Sequence, residues 1–596
     1  MKKRSMQFFL LISLLASACS STNDQTSSMP ASDRTTETTM SPAATNIISE
    51  NSETASSVQM ENTEAKISTL PENIEYFKGF SSNFSEGNSQ ITRTHPFQTL
   101  DSFCTNYPPI KEEVSPTTVE VKKGDSLAKI ASKYDLTLNE ILEINDISNP
   151  NLIFVGQEIR VGEQLKVGLG PQSTGRGITE NSVSIVTINS SNNELKTLGF
   201  EDFSVNQSEI FSSFIKILNE DCGGFHGRKI DHQEVTTFPL KAFDIDVSTL
   251  GNIACLNATK EIPSVIVIDT SQFSGPLEHC IVNEQKTALI TTKVSPRQHS
   301  TSSDNRLLSD SFSTEQALSL MLEFAENEGL LTNRSIAVIA DDSLDNYESI
   351  ITGLVEPLRA LNYEPEFHFL NCEGGIFCKA GIERTIDALI DNPPDVLFPT
   401  LNPFSLPEFL SQMRQSGIPK PQIIQSAFNQ QDDEQSTDHI FNYGGSGVAD
   451  YYDGTIIFSH PYVENQRIKE KQLSPFEEMC VDEYSRVSNL DQHINDERRT
   501  ETVLEICSIT RYVARALYDA GVNPSRRRIH ESLSSLGYVD SPGLSFGSFA
   551  LDKPTRPSSI QKMEYQFPCS INTGTESQNF TSCILPISPP KNISMN

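Results

Sequence analysis

The chain has 596 residues, 46 Lys and Arg against 78 Asp and Glu, a formal net charge of −32 at pH 7 and no tryptophan. An acidic balance of that size repels phosphate backbones and anionic surfaces, so nucleic-acid binding is excluded and the charge serves solubility. The lack of Trp removes the usual stacking platform of polysaccharide-cleaving enzymes.

Residues 1–19 open with Lys2, Lys3 and Arg4, continue with an apolar run from Phe8 to Leu15, and end in Ala16, Ser17, Ala18 and Cys19. A cationic head, a short apolar core and a small-residue cleavage site make a secretory signal, and the run is too short for a span of ~20 residues. The Leu15-Ala-Ser-Ala-Cys19 pattern resembles the bacterial lipobox. That implies lipidation of Cys19 and a membrane anchor on the extracytoplasmic side, with the lipid contributing ~0.8 kcal/mol per buried methylene. Setting Cys19 apart from the eleven cysteines leaves ten, an even number that suits disulfides in an oxidising compartment. Cys372 and Cys378, in NCEGGIFCKA, are close enough to pair locally with Gly374 and Gly375 supplying the turn. No CxxC spacing or Cys–His cluster favours zinc, and no metal or cofactor is expected.

Residues 20–115 read as a disordered linker. The first fifty are rich in Ser, Thr, Asn and Glu and carry too little apolar surface to offset ordering entropy. Residues 116–162 read as one module. Val119 and Val121 alternate with polar residues as in a strand, and Asp125 or Ser126 caps a helix that buries Leu127, Ile130 and Ala131. Thr137 caps a second helix with Leu138, Ile141, Leu142 and Ile144 inward, and NPNLIFVGQEIRV turns into a return strand. This stretch resembles the LysM module through Val121, Gly124-Asp125-Ser126-Leu127, Ile130-Ala131, Leu142, Asn145, Pro150, Leu152, Gly156-Gln157 and Ile159-Arg160-Val161. Val119 stands where the family usually has an aromatic. The resemblance implies binding of N-acetylglucosamine-containing glycans, chiefly peptidoglycan. The groove then lies between Gly124, Asp125, Ser126 and Leu127 on one side and Asn151, Leu152 and Ile153 on the other.

A linker at 163–180 leads to a large body at 181–570, with a tail at 571–596. In the body, apolar runs such as VSIVTI (183–188), PSVIVIDT (263–270), KTALITT (286–292) and SIAVIADD (335–342) alternate with amphipathic helices. That cadence predicts an α/β fold with parallel, doubly wound sheets, and the length calls for two lobes. GxGxxG after a strand, GxxxxGK[ST] and GxSxG are all absent, so no enzyme activity is expected. Asp341, Asp342 and Asp345 lack EF-hand spacing.

The segment FIKILNEDCGGFHGRKIDHQEV (214–235), with Gly223, Gly224, Gly227 and Arg228, resembles type 1 periplasmic binding proteins of the branched-chain amino-acid-binding (Leu/Ile/Val-binding) group. Asn219 stands one residue further from the glycines than the family's Asn. SIAVIADDSLDNYESIITGL places Tyr347 at the family's tyrosine and Glu348 where it has glycine, and the segment SLSSLGYVDSPGLSFGSFALDKPTRPSSIQKMEYQF resembles the terminal helix and hairpin. The resemblance implies two lobes closing on a ligand, and a disulfide between Cys255 and Cys280. Candidate ligand contacts lie in loops after strands: Asn189, Ser190, Asp269, Thr270, Ser271, Thr291, Thr292, Asp342, Tyr347, Thr400 and Asn402. Their hydroxyls and acids suit an amino-acid-like zwitterion. The expected role is a wall-attached solute-binding lipoprotein serving an ABC permease. The alternative is a scaffold or regulator acting on a wall-synthesis enzyme with the same fold.

Overall fold

This computed structural model describes residues 118–593, except 135, 146, 148, 162–170, 199–205, 272–275, 305, 343–345, 429–431, 433, 461–472, 474, 489–496, 539–547, 550–552 and 573–576. The leader, Cys19 and the 20–115 linker lie outside these residues. Among the described residues no helix is long and apolar enough to cross a membrane.

The small module is built as its pattern predicts. Strand β1 (Thr118–Glu120) pairs antiparallel with β2 (Glu158–Arg160) around helices Leu127–Lys133 and Leu138–Ile144. Ser126 caps the first helix by accepting from the Lys129 amide, and Leu127, Ile130, Ala131, Ile141 and Ile159 form the core. Asn145 ties the second helix to the return strand, accepting from the Arg160 amide at 2.7 Å and donating to its carbonyl at 2.9 Å.

The body has two parallel sheets. In the first lobe β3 (Ser182–Ser190), β4 (Lys229–Thr237), β5 (Ile266–Asp269), β6 (Ala288–Thr291) and β7 (Leu307–Ser309) lie in the order β4-β3-β5-β6-β7. In the second, β8 (Ile336–Asp341), β9 (Glu366–Leu370), β10 (Val396–Thr400), β11 (Gln422–Ser426) and β12 (Ile456–Ser459) lie in the order β9-β8-β10-β11-β12. Both reverse direction next to their first strand, which puts a topological switch point between β3 and β5 and another between β8 and β10. Each sheet has an apolar cluster on both faces, as double winding requires. The long helix Glu497–Asp519 packs on the first lobe against Phe211, Phe214 and Ile217.

The GG-x-x-GR segment has a structural role. The helix Gln207–Lys216 ends in a π-helical turn at Ile217–Asp221, which takes up one extra residue and leaves Asn219 in reach of β4. Asn219 accepts from the Ile230 amide at 2.7 Å and donates to its carbonyl at 2.8 Å. Gly224, at φ +74°, admits no side chain, since a Cβ would lie 2.1 Å from the Arg228 carbonyl oxygen. Arg228 is buried and donates to Thr179, Gln172 and Asn523.

Two domain boundaries differ from expectation. Part of the 163–180 linker belongs to the first lobe: Ile178 is fully buried and the Gln172 amide donates to Asn523. The 571–596 tail is strand-forming. A short pair, β13 (Gly537–Tyr538) and β14 (Ser548–Phe549), precedes β15 (Ser559–Gln566), which adds antiparallel to β12. Next come the hairpin of β16 (Cys569–Asn572) and β17 (Ser577–Phe580), then β18 (Cys583–Pro586) and β19 (Lys591–Asn592), both paired with β15. The strands after β15 are short, and a Cys569–Cys583 disulfide ties β16 to β18. Cys255–Cys280, Cys372–Cys378 and Cys480–Cys507 are also bonded, and Cys222 is in a disulfide as well.

The lobes are joined where Ser309 pairs with Thr555: the Ser309 amide donates to Pro554 and the Arg556 amide to Ser309. Beside them Arg556 Nε donates to Asp310 Oδ1 at 2.7 Å and Tyr512 donates to the same oxygen at 2.9 Å, all three residues being buried. Removing one partner of a buried ion pair leaves an uncompensated charge, at a cost of about 3–5 kcal/mol. Asp310→Ala should therefore lower the unfolding free energy by that amount in chemical denaturation, and an unchanged midpoint would show that the crossover is held by other contacts.

Candidate functional site

Strand C-termini of both lobes meet at the interlobe cleft, and the candidate residues lie there in two groups. In the first lobe, Thr270 donates to Asn189 Oδ1 at 2.7 Å and to Gln207 Oε1 at 2.8 Å, while Asn189 donates to Glu234 at 2.9 Å. Ser190 pairs with Thr237 at 3.2 Å. Asp269 Oδ1 accepts from the Ser271 amide and hydroxyl at 2.9 and 2.6 Å, and its Oδ2 lies 3.3 Å from Lys293 Nζ. Burial pushes the Asp269 carboxyl up and Lys293 opposes the rise. Thr291 accepts from the Lys293 amide, and Thr292 is half-buried.

In the second lobe Asp341 is the hub. Its Oδ2 accepts from the Asn402 backbone amide at 2.7 Å and from Asn402 Nδ2 at 3.0 Å, and Asn402 Oδ1 accepts from the Phe404 and Ser405 amides. Thr400 donates to the Ile339 carbonyl at 2.9 Å. Asp342 Oδ1 accepts from the Cys372 amide at 2.6 Å. Tyr347 is not gathered with these groups. It is 44% exposed and stands edge-on to Phe367 and Phe369 of the edge strand β9, on the side of β8 away from the switch point. Asp269 and Asp342, the acids expected to take an ammonium group, are thus already engaged by the protein. Lys293, Glu234 and Asp341, absent from the sequence-derived set, complete these networks; their signal in sequence is only proximity to strand ends.

On the β3/β4 and β9/β10 side the cleft is filled with apolar side chains. Leu195, Leu198, Ala242 and Val247 of the first lobe pack on Ile376 and Phe404 of the second, with Leu240, Leu250 and Phe377 at the margin. Phe377 lies with its ring centre 5.2 Å from Phe243 and 5.9 Å from Phe404. The Val247 amide donates across the lobes to the Gly374 carbonyl at 2.9 Å. Ile376 and Phe377 stand in the loop that Cys372–Cys378 closes, and Gly374 adopts φ +81° with Asp246 against it. Each large side chain so buried contributes about 1.5–3 kcal/mol relative to exposure. Asp341, Cys372 and Cys378 come within metal-binding distance of one another, but both sulfurs are consumed by the disulfide.

In the small module, Gly124 takes φ +95° and the Lys122 amide donates to Asp125 at 2.8 Å, which fixes the first loop. Leu127 is core, while Gly124, Asp125, Ser126, Asn151 and Leu152 are exposed and Ile153 is half-buried. Leu152 and Phe154 expose 59% and 69% of their surface, unusual for large apolar side chains and suited to contact with a ligand.

Residues 119–162 match the family described as the LysM domain, so this module is a LysM domain. Short stretches also match curated proteins. Identity is 45% over 60 residues with the N-acetylmuramoyl-L-alanine amidase sle1 of Staphylococcus saprophyticus, 10% of this chain and 18% of that one. It is 48% over 54 residues with the endolysin of Bacillus phage B103, 9% of this chain and 20% of that one. The chain thus spans a fifth or less of the length of these relatives. Among solved structures, an extracellular ligand-binding receptor from Verminephrobacter eiseniae aligns at 12% identity and TM-score 0.45, over 64% of this chain and 97% of the other. The leucine-binding protein LivK of Thermotoga maritima aligns at 12% identity and TM-score 0.44, over 68% and 98%.

His460, at the end of β12, is held neutral: burial, with help from Arg556, lowers its pKa from 6.5 to about 3. Its stabilising contribution is full above pH 6.5 and is lost as the pH falls toward 3. Asp432, whose carboxyl burial raises from 3.8 to about 6, runs the other way, contributing at low pH and losing that contribution as pH rises through 6. Ser459 donates to Asp432 and stands 3.3 Å from His460 Nδ1. His460→Phe should therefore lose less thermal stability than wild type between pH 6.5 and 4, and superimposable melting-point curves would refute the assignment.

Proposed function

We propose that this protein works outside the cytoplasm, held to the cell wall by its LysM domain, and that its two-lobed body acts as an envelope scaffold or regulator of wall synthesis. The observation that carries the second half is the apolar packing of Ile376 and Phe404 on Leu195, Leu198 and Val247, which joins the lobes through the protein's own side chains. A receptor that opens and closes on a solute must separate such a surface from its partner in every cycle. The exposed loop at Asn151–Phe154 supports the first half: backbone amides and apolar side chains suit acetamido sugars, each hydrogen bond adding about 0.5–1.5 kcal/mol net. Lipidation of Cys19 would add a membrane anchor.

A second reading, solute binding for an ABC permease, is favoured by the polar strand ends at both switch points, Asn189 with Thr270 and Asp341 with Asn402. An amino-acid-like solute would have to displace bonds these residues already make. A thermal-shift panel separates the two. A solute at one hundred times its Kd stabilises by ~2.7 kcal/mol, a shift of a few degrees. We expect free amino acids to give none, and a clear shift with one small solute would establish the transport reading instead. For the wall attachment, the full chain should sediment with insoluble peptidoglycan. Leu152→Asp should release most of it, and retention of the variant would sink the assignment of this loop.

A further inference from the structure

Glu140 belongs to the LysM helix Leu138–Ile144, where a carboxylate of an independent module would face water, yet it is only 5% exposed. Its two oxygens have separate tasks. Oε2 accepts from the Thr137 amide at 2.7 Å while Thr137 Oγ1 accepts from the Glu140 amide at 3.2 Å, a reciprocal cap of the helix start. Oε1 receives Arg526 Nε of the large body at 2.8 Å.

Arg526 is built to be found there. It opens the helix Arg526–Ser534 and is itself buried, with Nη1 donating to the Ser264 carbonyl at 2.7 Å and to Arg176 at 3.1 Å, and Nη2 to Thr287 Oγ1 at 2.9 Å. The surroundings are positive: Arg176, Arg306 and Arg527 all act on Arg526 or on its neighbours, and Asp304 and Glu531 are engaged by Arg306 and Arg527. The carboxylate that Arg526 meets comes from the LysM domain. Ser264 and Thr287 lie within two residues of the starts of β5 and β6, so the contact lies at the N-terminal edge of the first sheet, whereas the cleft forms at the C-terminal ends of the same strands.

We infer that the LysM domain is docked on the first lobe through Glu140 and Arg526, as a fixed handle on the pole opposite the interlobe cleft. The docking leaves its own ligand loops free, since Gly124–Ser126, Asn151, Leu152, Phe154 and Val155 are exposed. A wall strand held by those loops would then sit away from the cleft, and this consequence, unlike the docking, rests on the glycan-binding reading.

Glu140→Gln tests the docking in the full chain, because the amide oxygen can still accept from Thr137 while the charge on Arg526 is lost. In a Cys222→Ser background, so that no disulfide reaches across the cut, trypsin cleavage after Lys166, identified by mass, separates the LysM domain from the body covalently. In the wild type cleavage should be slow, and the nicked domain should co-elute with the body in size exclusion. In Glu140→Gln cleavage should quicken at least fivefold and the fragment should elute alone. Arg526→Lys, which keeps a cation and gives up the guanidinium fork, should shift both readouts the same way. Peptidoglycan co-sedimentation of the released fragment reports whether the domain remains folded and binds glycan, so failure of that reading is seen separately. Equal cleavage rates in wild type and both variants, or a wild-type fragment that separates at once, would overturn the inference.

Discussion

The buried pair of Asp310 and Arg556, with Tyr512 on the same carboxylate oxygen, holds together the place where the chain passes between lobes. Burying two charges is favourable only where geometry and further hydrogen bonds repay their desolvation, and here a third donor and the paired backbones at Ser309 and Thr555 do so. Arg556 also lies near enough to His460 to help keep that imidazole neutral, so the charge that fixes the crossover also acts at the end of β12. Every contact between the lobes depends on the path these crossovers set.

Given that path, strand ends of opposite lobes face one another, and what fills the gap decides what the body can do. On one side the fill is apolar, delivered by the loop that the Cys372–Cys378 disulfide closes, which turns Ile376 and Phe377 toward the first lobe. Elsewhere polar side chains bond within their own lobe: Asn189 with Thr270, Asp269 with Lys293, Asp341 with Asn402. Buried polar groups need partners, and a protein that satisfies them internally leaves less for a solute. This division of the cleft is the ground on which the scaffold reading is proposed ahead of transport.

The LysM domain was legible because its determinants are local. Gly124, the Ser126 cap, the Thr137–Glu140 capping box and the apolar spacing all act within a few residues of one another. The doubly wound lobes were legible for a related reason: strand and helix periodicities alternate, and a buried parallel strand reads as a short apolar run such as SIAVIADD. Among site residues the legible part was position after a strand. Orientation was not legible: Thr270 looks the same in sequence whether it meets a ligand or Asn189, and Tyr347 whether it faces a cleft or leans on Phe369. The strands after residue 571 were missed since each is only two to four residues long and their order comes from pairing with β15 or β16.

By itself, then, the sequence determined the export-type leader pattern, the LysM module, the α/β class and the two disulfides named from spacing and resemblance, all features written in neighbouring residues or in a repeating period. Only the tertiary structure decided which polar strand ends bond to each other, what occupies the cleft, and that Glu140 meets Arg526. Those outcomes join residues tens to hundreds of positions apart, and no local propensity encodes a distance that arises only once the sheets have twisted and the lobes have closed.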